Sequence, residues 1–577
     1  MLQKFHQAGR LAKGNRLINE VGPWSCRRSS SLLQLQMHQK MMANCHWQHN
    51  RHHSQNSTNG IRGPTSTDLA YFRSVLSRPD RSILTNLSSS QRATPDEESQ
   101  NKLARYNQDW TSQYHGDSTL VLRPQGTSEV SHILRYCHDN FIGVVPQGGN
   151  TGLCGGATPL RDEIILSLED MKTIYNIDMH SGILTCDAGS ILQNLHEYAN
   201  DHGYLFPLDI GAKGTCQIGG NVSTNAGGQY FFRFGGLHGT VMGLEVVLPD
   251  GSVMHLNMEI DKDSGTIKQG STHRKDNTGY DLKHLFIGAE GTLGIVTKVA
   301  MACPALPTSK NATILVCDSY TNVLKVLQTA KDELGEILSA MELMDYNTLQ
   351  LVQEHGFGDS GSRLLKDMLQ SDPTTQHSEV DRPLFLLVET QGSNSDHDAS
   401  KMDSFLTHLF ERDIINNGFL AQDNKQMAEM WNIRESCNPS VARAGCVYKF
   451  DVSIPIEDYM DVAWEVERKL LTARNSFHPT VCVWGHIADG NAHINIVTPG
   501  KFGKDSVLTK DIEATVYESV MRRNGSISAE HGLGQSKNDY LSHIKEKSVL
   551  DMMTKMKALF DPHGIMNPGK FLPRKKI

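Results

Sequence analysis

The chain has 577 residues, 38% hydrophobic and 21% charged, with a mean hydropathy of −0.39, which excludes a collagen-like, wholly disordered or multi-span membrane protein. No run approaches the ~18 consecutive apolar residues of a membrane span, and a net charge of −8 gives no reason to expect nucleic acid as a partner. Eleven cysteines stand singly from Cys26 to Cys482 without a C-x-x-C pair, so neither a disulfide framework nor a zinc ribbon is indicated.

Residues 1–67 hold nine Lys/Arg and one acid, Glu20, a local +8 that leaves −16 for residues 68–577. Lys4, Arg10, Lys13, Arg16, Arg27 and Arg28 are scattered among Leu2, Phe5, Leu11, Leu17 and Ile18, the make-up of a mitochondrial transit peptide. A disordered basic tail, or a metal-binding cluster at His46, His49, His52 and His53, competes with that reading. The chain stays polar from Asp68 to about Gln100, so the folded part is expected to start near residue 100.

Leu120, Val121 and Leu122 read as a strand, and Val130, Ile133, Leu134 and Cys137 as the apolar face of the next helix. Short apolar strands at 142–145, 164–168, 244–248 and 295–299 alternate with glycine-rich connections. Beyond Pro304 and Pro307 the pattern changes to long helices and strands, among them 322–334, 384–389 and 458–474, and suggests a second domain. Met341, Met344, Leu349 and Val352 have helical spacing, so 341–355 is read as one helix; residues 549–560 form a last amphipathic helix before Pro562.

Gly148, Gly149 and Gly152 form one glycine concentration, and nine glycines from Gly211 to Gly239 form another. Glycine lets the backbone approach a ligand closely, and consecutive N–H groups can cradle a pyrophosphate. The interleaved Asn150, Thr151, Asn221, Thr224 and Asn225 would add side-chain hydrogen bonds, and a set of tight turns is the plainer alternative. The P-loop pattern is absent. The one G-x-G-x-x-G match, Gly356 through Gly361, follows a helical pattern rather than a strand and is rejected as a dinucleotide fingerprint.

Residues 481–497 read as strand, turn, strand, with Asp489-Gly490 as a two-residue hairpin loop. That register would place His486 opposite His493, with Asn495 on the same face and Ile494 and Ile496 on the other. Two imidazoles can begin a zinc site that needs a third ligand, and Glu530-His531 could provide a carboxylate ligand beside an acid/base imidazole. A packed polar pair without metal fits these residues equally well.

Taken together, the motifs resemble flavoproteins of the vanillyl-alcohol-oxidase type. They comprise Pro146-Gln147-Gly148-Gly149-Asn150-Thr151-Gly152, Gly219-Gly220-Asn221, Thr224-Asn225-Ala226-Gly227-Gly228 and Asn277-Thr278-Gly279-Tyr280-Asp281-Leu282. Gly288-Ala289-Glu290-Gly291-Thr292-Leu293-Gly294, the histidine hairpin, Glu530-His531-Gly532 and Asn567-Pro568-Gly569-Lys570 complete the set. The resemblance implies an α+β architecture with these divisions: residues 1–67 a leader, 115–304 a two-part FAD-binding domain, 305–540 an antiparallel-sheet cap that binds substrate, and 541–577 a helical C-terminal segment returning to the FAD domain. It assigns the glycine-loop residues above, with Gly227, Gly228, Glu290, Gly291 and Asn567, to FAD. The cofactor is expected to be non-covalent, because residues 147–156 contain no histidine.

The resemblance further implies that His486, His493 and Glu530 bind Zn²⁺, that Asn495 contacts substrate and that His531 is the catalytic base. Arg434 and Lys449 would hold a distal carboxylate, the feature that separates D-2-hydroxyglutarate from lactate. Asn438 stands where the pattern has threonine, and Pro439 after it is expected to pull Asn438 out of helical geometry. The implied reaction oxidises D-2-hydroxyglutarate to 2-oxoglutarate in the mitochondrial matrix and passes electrons to electron-transfer flavoprotein, with a homodimer as the candidate assembly. A D-lactate dehydrogenase, a flavin-dependent alkyl transferase and a non-catalytic FAD-binding protein are the rival readings.

Overall fold

The structure, a computed structural model, describes residues 60–87, 97–261, 263–357, 362–370, 382–472, 479–501, 503 and 506–574. Residues 1–59 of the leader expected over 1–67, with its histidine cluster, and Gly358 through Gly361 of the rejected fingerprint lie outside them. Three sheets organise the described residues, and all pairings in the second and third are antiparallel.

The first sheet contains β1 (Ile83–Thr85), β2 (Leu120–Leu122), β3 (Val144–Gln147) and β4 (Ile164–Ser167) in the order β1-β2-β4-β3. β4 pairs parallel to both β2 and β3, which requires crossover connections. The helix Thr127–Asp139 supplies one and buries Val130, Ile133, Leu134 and Cys137, spaced to line one helical face. The second sheet contains β5 (Ile174–Ile177), β6 (Ile183–Asp187), β7 (Val241–Val247), β8 (Val253–Leu256) and β9 (Ile295–Ala302), in the order β5-β6-β9-β7-β8. Its apolar residues join those of the first sheet in one core.

The third sheet contains β10 (Ser309–Cys317), β11 (Leu338–Asp345), β12 (Leu384–Gly392), β13 (Asn417–Leu420), β14 (Gly445–Ser453), β15 (Thr480–His486) and β16 (Asn491–Pro499), ordered β13-β10-β12-β11-β15-β16-β14. Leu343, Val483, Ile494, Ile496 and Val452 face one core. On the opposite face Met344, Phe385, Cys482 and Trp484 pack beneath the helices Tyr346–His355, Asn424–Glu435 and Cys437–Ala444. After the helix Lys547–Phe560 the chain runs to β3, where Val144 N–H donates to the Ile565 carbonyl and Asn567 N–H to that of Val144.

Two expectations are corrected. The 341–355 segment is not one helix: Met341 and Met344 lie on β11, and the helix begins only at Tyr346, where Asp345 accepts from Thr348 N–H as its N-cap. The coincidence of strand and helix spacing across the junction masked the boundary.

The folded part also begins by Ile61, not near residue 100, and includes residues 61–67. Thr65 and Asp68 form a capping box for the helix Ser66–Val75, and the Asp68 carboxylate receives two Arg62 bonds of 2.6 and 2.9 Å plus the Tyr136 hydroxyl. Phe72, fully buried, joins the core of the first two sheets, and Tyr71 stacks on Tyr136. A few apolar residues in a polar stretch are enough to dock it. Phe72→Ala should therefore destabilise the protein by about 3–5 kcal/mol, the usual range for a buried phenylalanine, read as a lower urea midpoint at an unchanged m-value.

Candidate functional site

The central strands of the third sheet set out polar side chains in rows. Glu342 pairs with His486, His486 with Asn491, and Asn491 with Ser453. The next row runs Met344, Trp484, His493, Asp451, and the one after that Cys482, Asn495, Lys449. Because strand side chains alternate, all of these share one face.

The hairpin differs from its expected register. Its loop is residues 487–490, His493 pairs with Trp484, and the pairing is displaced by two residues. An even displacement keeps both imidazoles on the same face, so they meet diagonally with ring centroids 5.6 Å apart. The longer loop is held by groups outside the hairpin: Ile454 N–H donates to the Gly490 carbonyl, and the Tyr459 hydroxyl to that of Asn491.

Each imidazole has a buried carboxylate behind it. His486 Nδ1 lies 2.5 Å from Glu342, which turns Nε2 toward Glu530 Oε1 at 3.6 Å. Burial opposes charge on Glu342, yet His486 and Arg434 hold its carboxyl down at about 2. Burial likewise opposes charge on His486, but the Glu342 carboxylate raises it to about 9. His493 Nδ1 is 3.6 Å from Asp451, and burial pushes this imidazole down to about 3. Burial raises Glu530 to about 7. His486, His493 and Glu530 present ligand atoms within 4.8 Å of one another, as do Asp451, His493 and His531. The first set fits a divalent metal better, because Asp451 already accepts several hydrogen bonds.

Those bonds fix the loop that carries Glu530 and His531. Asp451 Oδ2 accepts from the N–H groups of Glu530 and His531 at 2.7 and 2.9 Å, and Oδ1 accepts from Asn491 Nδ2. Burial works against its charge, but His531, His493 and Lys537, with the Glu530 N–H, hold it below its ordinary value. Glu290, half-buried and at φ +50°, takes the N–H groups of Leu533 and Gly534 at 2.7 and 2.8 Å. Gly534, at φ +52°, passes so close to Cys154 that a Cβ would lie 2.1 Å from its carbonyl oxygen. Gly227 is equally constrained, since a Cβ there would sit 2.4 Å from Glu530 Oε1.

Arg434 closes the other side of Glu342 with an Nε–Oε2 bond of 2.7 Å. Asn438 remains helical, contrary to expectation. The helix of Arg434 ends at Glu435, Ser436 separates it from a new one that starts at Cys437, and Pro439 therefore occupies a first turn whose N–H groups need no intrahelical acceptor. Asn438 Oδ1 accepts from Lys449 Nζ at 2.7 Å, which brings two of the expected substrate contacts together.

Among the glycine-loop residues, Gly152 and Gly220 face open space, with nothing within 4 Å of a notional Cβ. Gln217 Oε1, Asn221 Oδ1 and Asn225 Oδ1 are buried acceptors that no group among the described residues satisfies. Open backbone beside orphaned amides fits a polar cofactor such as FAD. Other residues assigned to the cofactor bind the chain itself. Asn150 Nδ2 donates to the Gln108 carbonyl, Thr224 Oγ1 to that of Gly220, and Asn567 Nδ2 to that of Glu290. Gly149, Gly219 and Gly228 would put a Cβ within 2.1–2.6 Å of Thr215, Ala188 and Asp209, and Gly291 would put one 3.0 Å from Pro146. Gly148 faces Gln217.

Glu342 and Asp451 were missed in the sequence. Asp451 stands two positions from Lys449 on a strand, and Glu342 is a charged residue within the mostly apolar β11; both signals were available once β11 and β14 were read as strands.

Two sheets with helices and glycine loops, joined to an antiparallel sheet that carries two histidines of a candidate metal-ligand set, define an FAD-linked oxidoreductase. Residues 118–257 match the family described as FAD binding domain, and residues 306–571 the FAD linked oxidases, C-terminal domain. p-Cresol methylhydroxylase shares the fold, with a TM-score of 0.65 at 15% identity over 89% of this chain and 97% of that one. A mitochondrial D-2-hydroxyglutarate dehydrogenase of Danio rerio is 41% identical over 509 residues, 88% of this chain and 86% of its own. A Schizosaccharomyces pombe protein named as a D-lactate dehydrogenase is 41% identical over 88% of this chain and 90% of its own. The chain belongs to the D-2-hydroxyglutarate dehydrogenase family, FAD-dependent dehydrogenases of D-2-hydroxyacids.

Glu342→Ala should cost about 3–5 kcal/mol in chemical denaturation, because Arg434 and His486 would be left buried without their shared acceptor.

Proposed function

We propose that this chain oxidises D-2-hydroxyglutarate to 2-oxoglutarate, with non-covalent FAD as hydride acceptor and Zn²⁺ held by His486, His493 and Glu530. The observation that carries this reading is the placement of Arg434 and the Lys449–Asn438 pair around the same sheet face as the metal-ligand cluster. When bound, FAD accepts hydride from C2 and zinc acts as a Lewis acid toward the 2-hydroxyl.

The chain's own residues orient the substrate and move its proton. Arg434, with Nε committed to Glu342, presents its remaining guanidinium edge to the distal carboxylate, and Lys449 and Asn438 face the same carboxylate. Asn495, opposite Lys449 in the register, contacts the C1 end. Asp451 lies 3.8 Å behind His531 Nδ1, so Nε2 receives the hydroxyl proton. Fixing both ends of the substrate sets the face of C2 turned to the flavin.

The basic composition of residues 1–67 and the relatives' mitochondrial names support a matrix location. Electrons leave for a separate acceptor, since the sequence offers no iron–sulfur or haem motif, and the family resemblance makes electron-transfer flavoprotein that acceptor. Among the described residues no helix is long and apolar enough to cross a membrane. Assembly as a homodimer is part of the proposal.

The deciding experiment is anaerobic bleaching of the flavin by D-2-hydroxyglutarate and by D-lactate. A clear preference for the dicarboxylate supports the substrate assignment; equal or reversed rates replace it with the D-lactate reading. His531→Ala should retain FAD but lose substrate-driven bleaching, and reduction at the parent rate would remove His531 from the proton-transfer role. Gly227→Ala should displace the Glu530 carboxylate, so that elemental analysis finds less bound metal than in the parent.

A further inference from the structure

Trp110 is more than half exposed, yet it is held firmly. Asp109, buried beside it, accepts from Thr111 N–H at 3.0 Å, Gln113 N–H at 2.8 Å, Tyr114 N–H at 2.7 Å and the Thr111 hydroxyl, which knots residues 109–114 into a fixed turn. The indole Nε1 donates to the Thr151 carbonyl at 3.0 Å, in the first glycine loop, and Asn150 of that loop bonds back to the Gln108 carbonyl. Its ring lies beneath the Lys449 ammonium, 5.6 Å from the centroid. A preset aromatic face thus spans from the flavin-side loop to the cation that stands next to Asn438 and opposite Asn495.

We propose that Trp110 is a specificity-determining positioning residue: its ring face holds the Lys449 ammonium by a cation–π contact, and the indole walls the distal-carboxylate subsite on the flavin side. This rests on the dicarboxylate reading above. An aromatic face attracts an ammonium without neutralising it, so Lys449 keeps its charge for the substrate while its four-carbon stem loses freedom.

The test compares Trp110→Ala, Trp110→Leu and Trp110→Phe in the full FAD-loaded chain. Its readout is the ratio of kcat/KM for D-2-hydroxyglutarate to that for D-lactate. Removing the ring should lower the ratio about 3- to 30-fold, the range of a partly desolvated cation–π contact, with the loss in KM rather than in kcat. Phenylalanine, which keeps a ring face, should restore most of the ratio, and leucine, which fills space without one, should not. An unchanged ratio in Trp110→Leu overturns the proposal. So does an equal loss on both substrates, which would make the indole a packing group. Should Trp110→Ala lose its flavin, the leucine and phenylalanine pair decides. A parent enzyme without preference counts against the dicarboxylate reading itself, whereas a parental preference that Trp110→Leu retains counts against the role of Trp110 alone.

Discussion

Two carboxylates, one buried on β14 and one in the turn ahead of β9, grip one short loop. Asp451 on β14 takes the backbone N–H groups of Glu530 and His531, and Glu290 takes those of Leu533 and Gly534. Backbone donors aimed at an ionised oxygen make strong, directional bonds, and a buried carboxylate without them would be costly. The side chains between the two grips therefore have little freedom, and the loop ties the cap sheet to the glycine loops. The close approach of Gly534 to the Cys154 backbone belongs to the same constraint, because that position has no room for a Cβ.

The same principle repeats behind the imidazoles. Glu342 fixes which nitrogen of His486 faces Glu530, and Arg434 stabilises the charge on Glu342 from the far side. A histidine whose inner nitrogen bonds to a carboxylate is oriented, and made more basic, as a metal ligand. Arg434 and His486 thus share one buried acid, and under the proposed function this links the distal-carboxylate contact to the metal ligands.

Much of the site was legible because strand periodicity is robust to error. The hairpin register was misjudged by two residues, yet His486, His493 and Asn495 still share a face, since only an odd slip would reverse it. Helical reasoning was less forgiving. Reading 341–355 as one helix hid Glu342, and treating Pro439 as a break ignored that a second helix could begin at Cys437 and place it in the first turn. Polar composition likewise concealed the docked segment around Phe72, because a few well-placed apolar side chains outweigh a hydrophilic average once a partner surface exists.

The sequence by itself determined the family, the mixed α/β character and the glycine loops, and it supplied the candidate residues for flavin, metal and proton transfer, because those are set by local spacing and by chemistry that few side chains can perform. Only the tertiary structure decided which glycines face open space and which face neighbouring chain, which acids orient the histidines, and that Trp110 meets Lys449. Glu342 with His486, Asp451 with Glu530 and Trp110 with Lys449 are each separated by more than seventy residues. Their approach depends on the order of strands in a sheet and on loops that cross between sheets, and no local pattern carries that information.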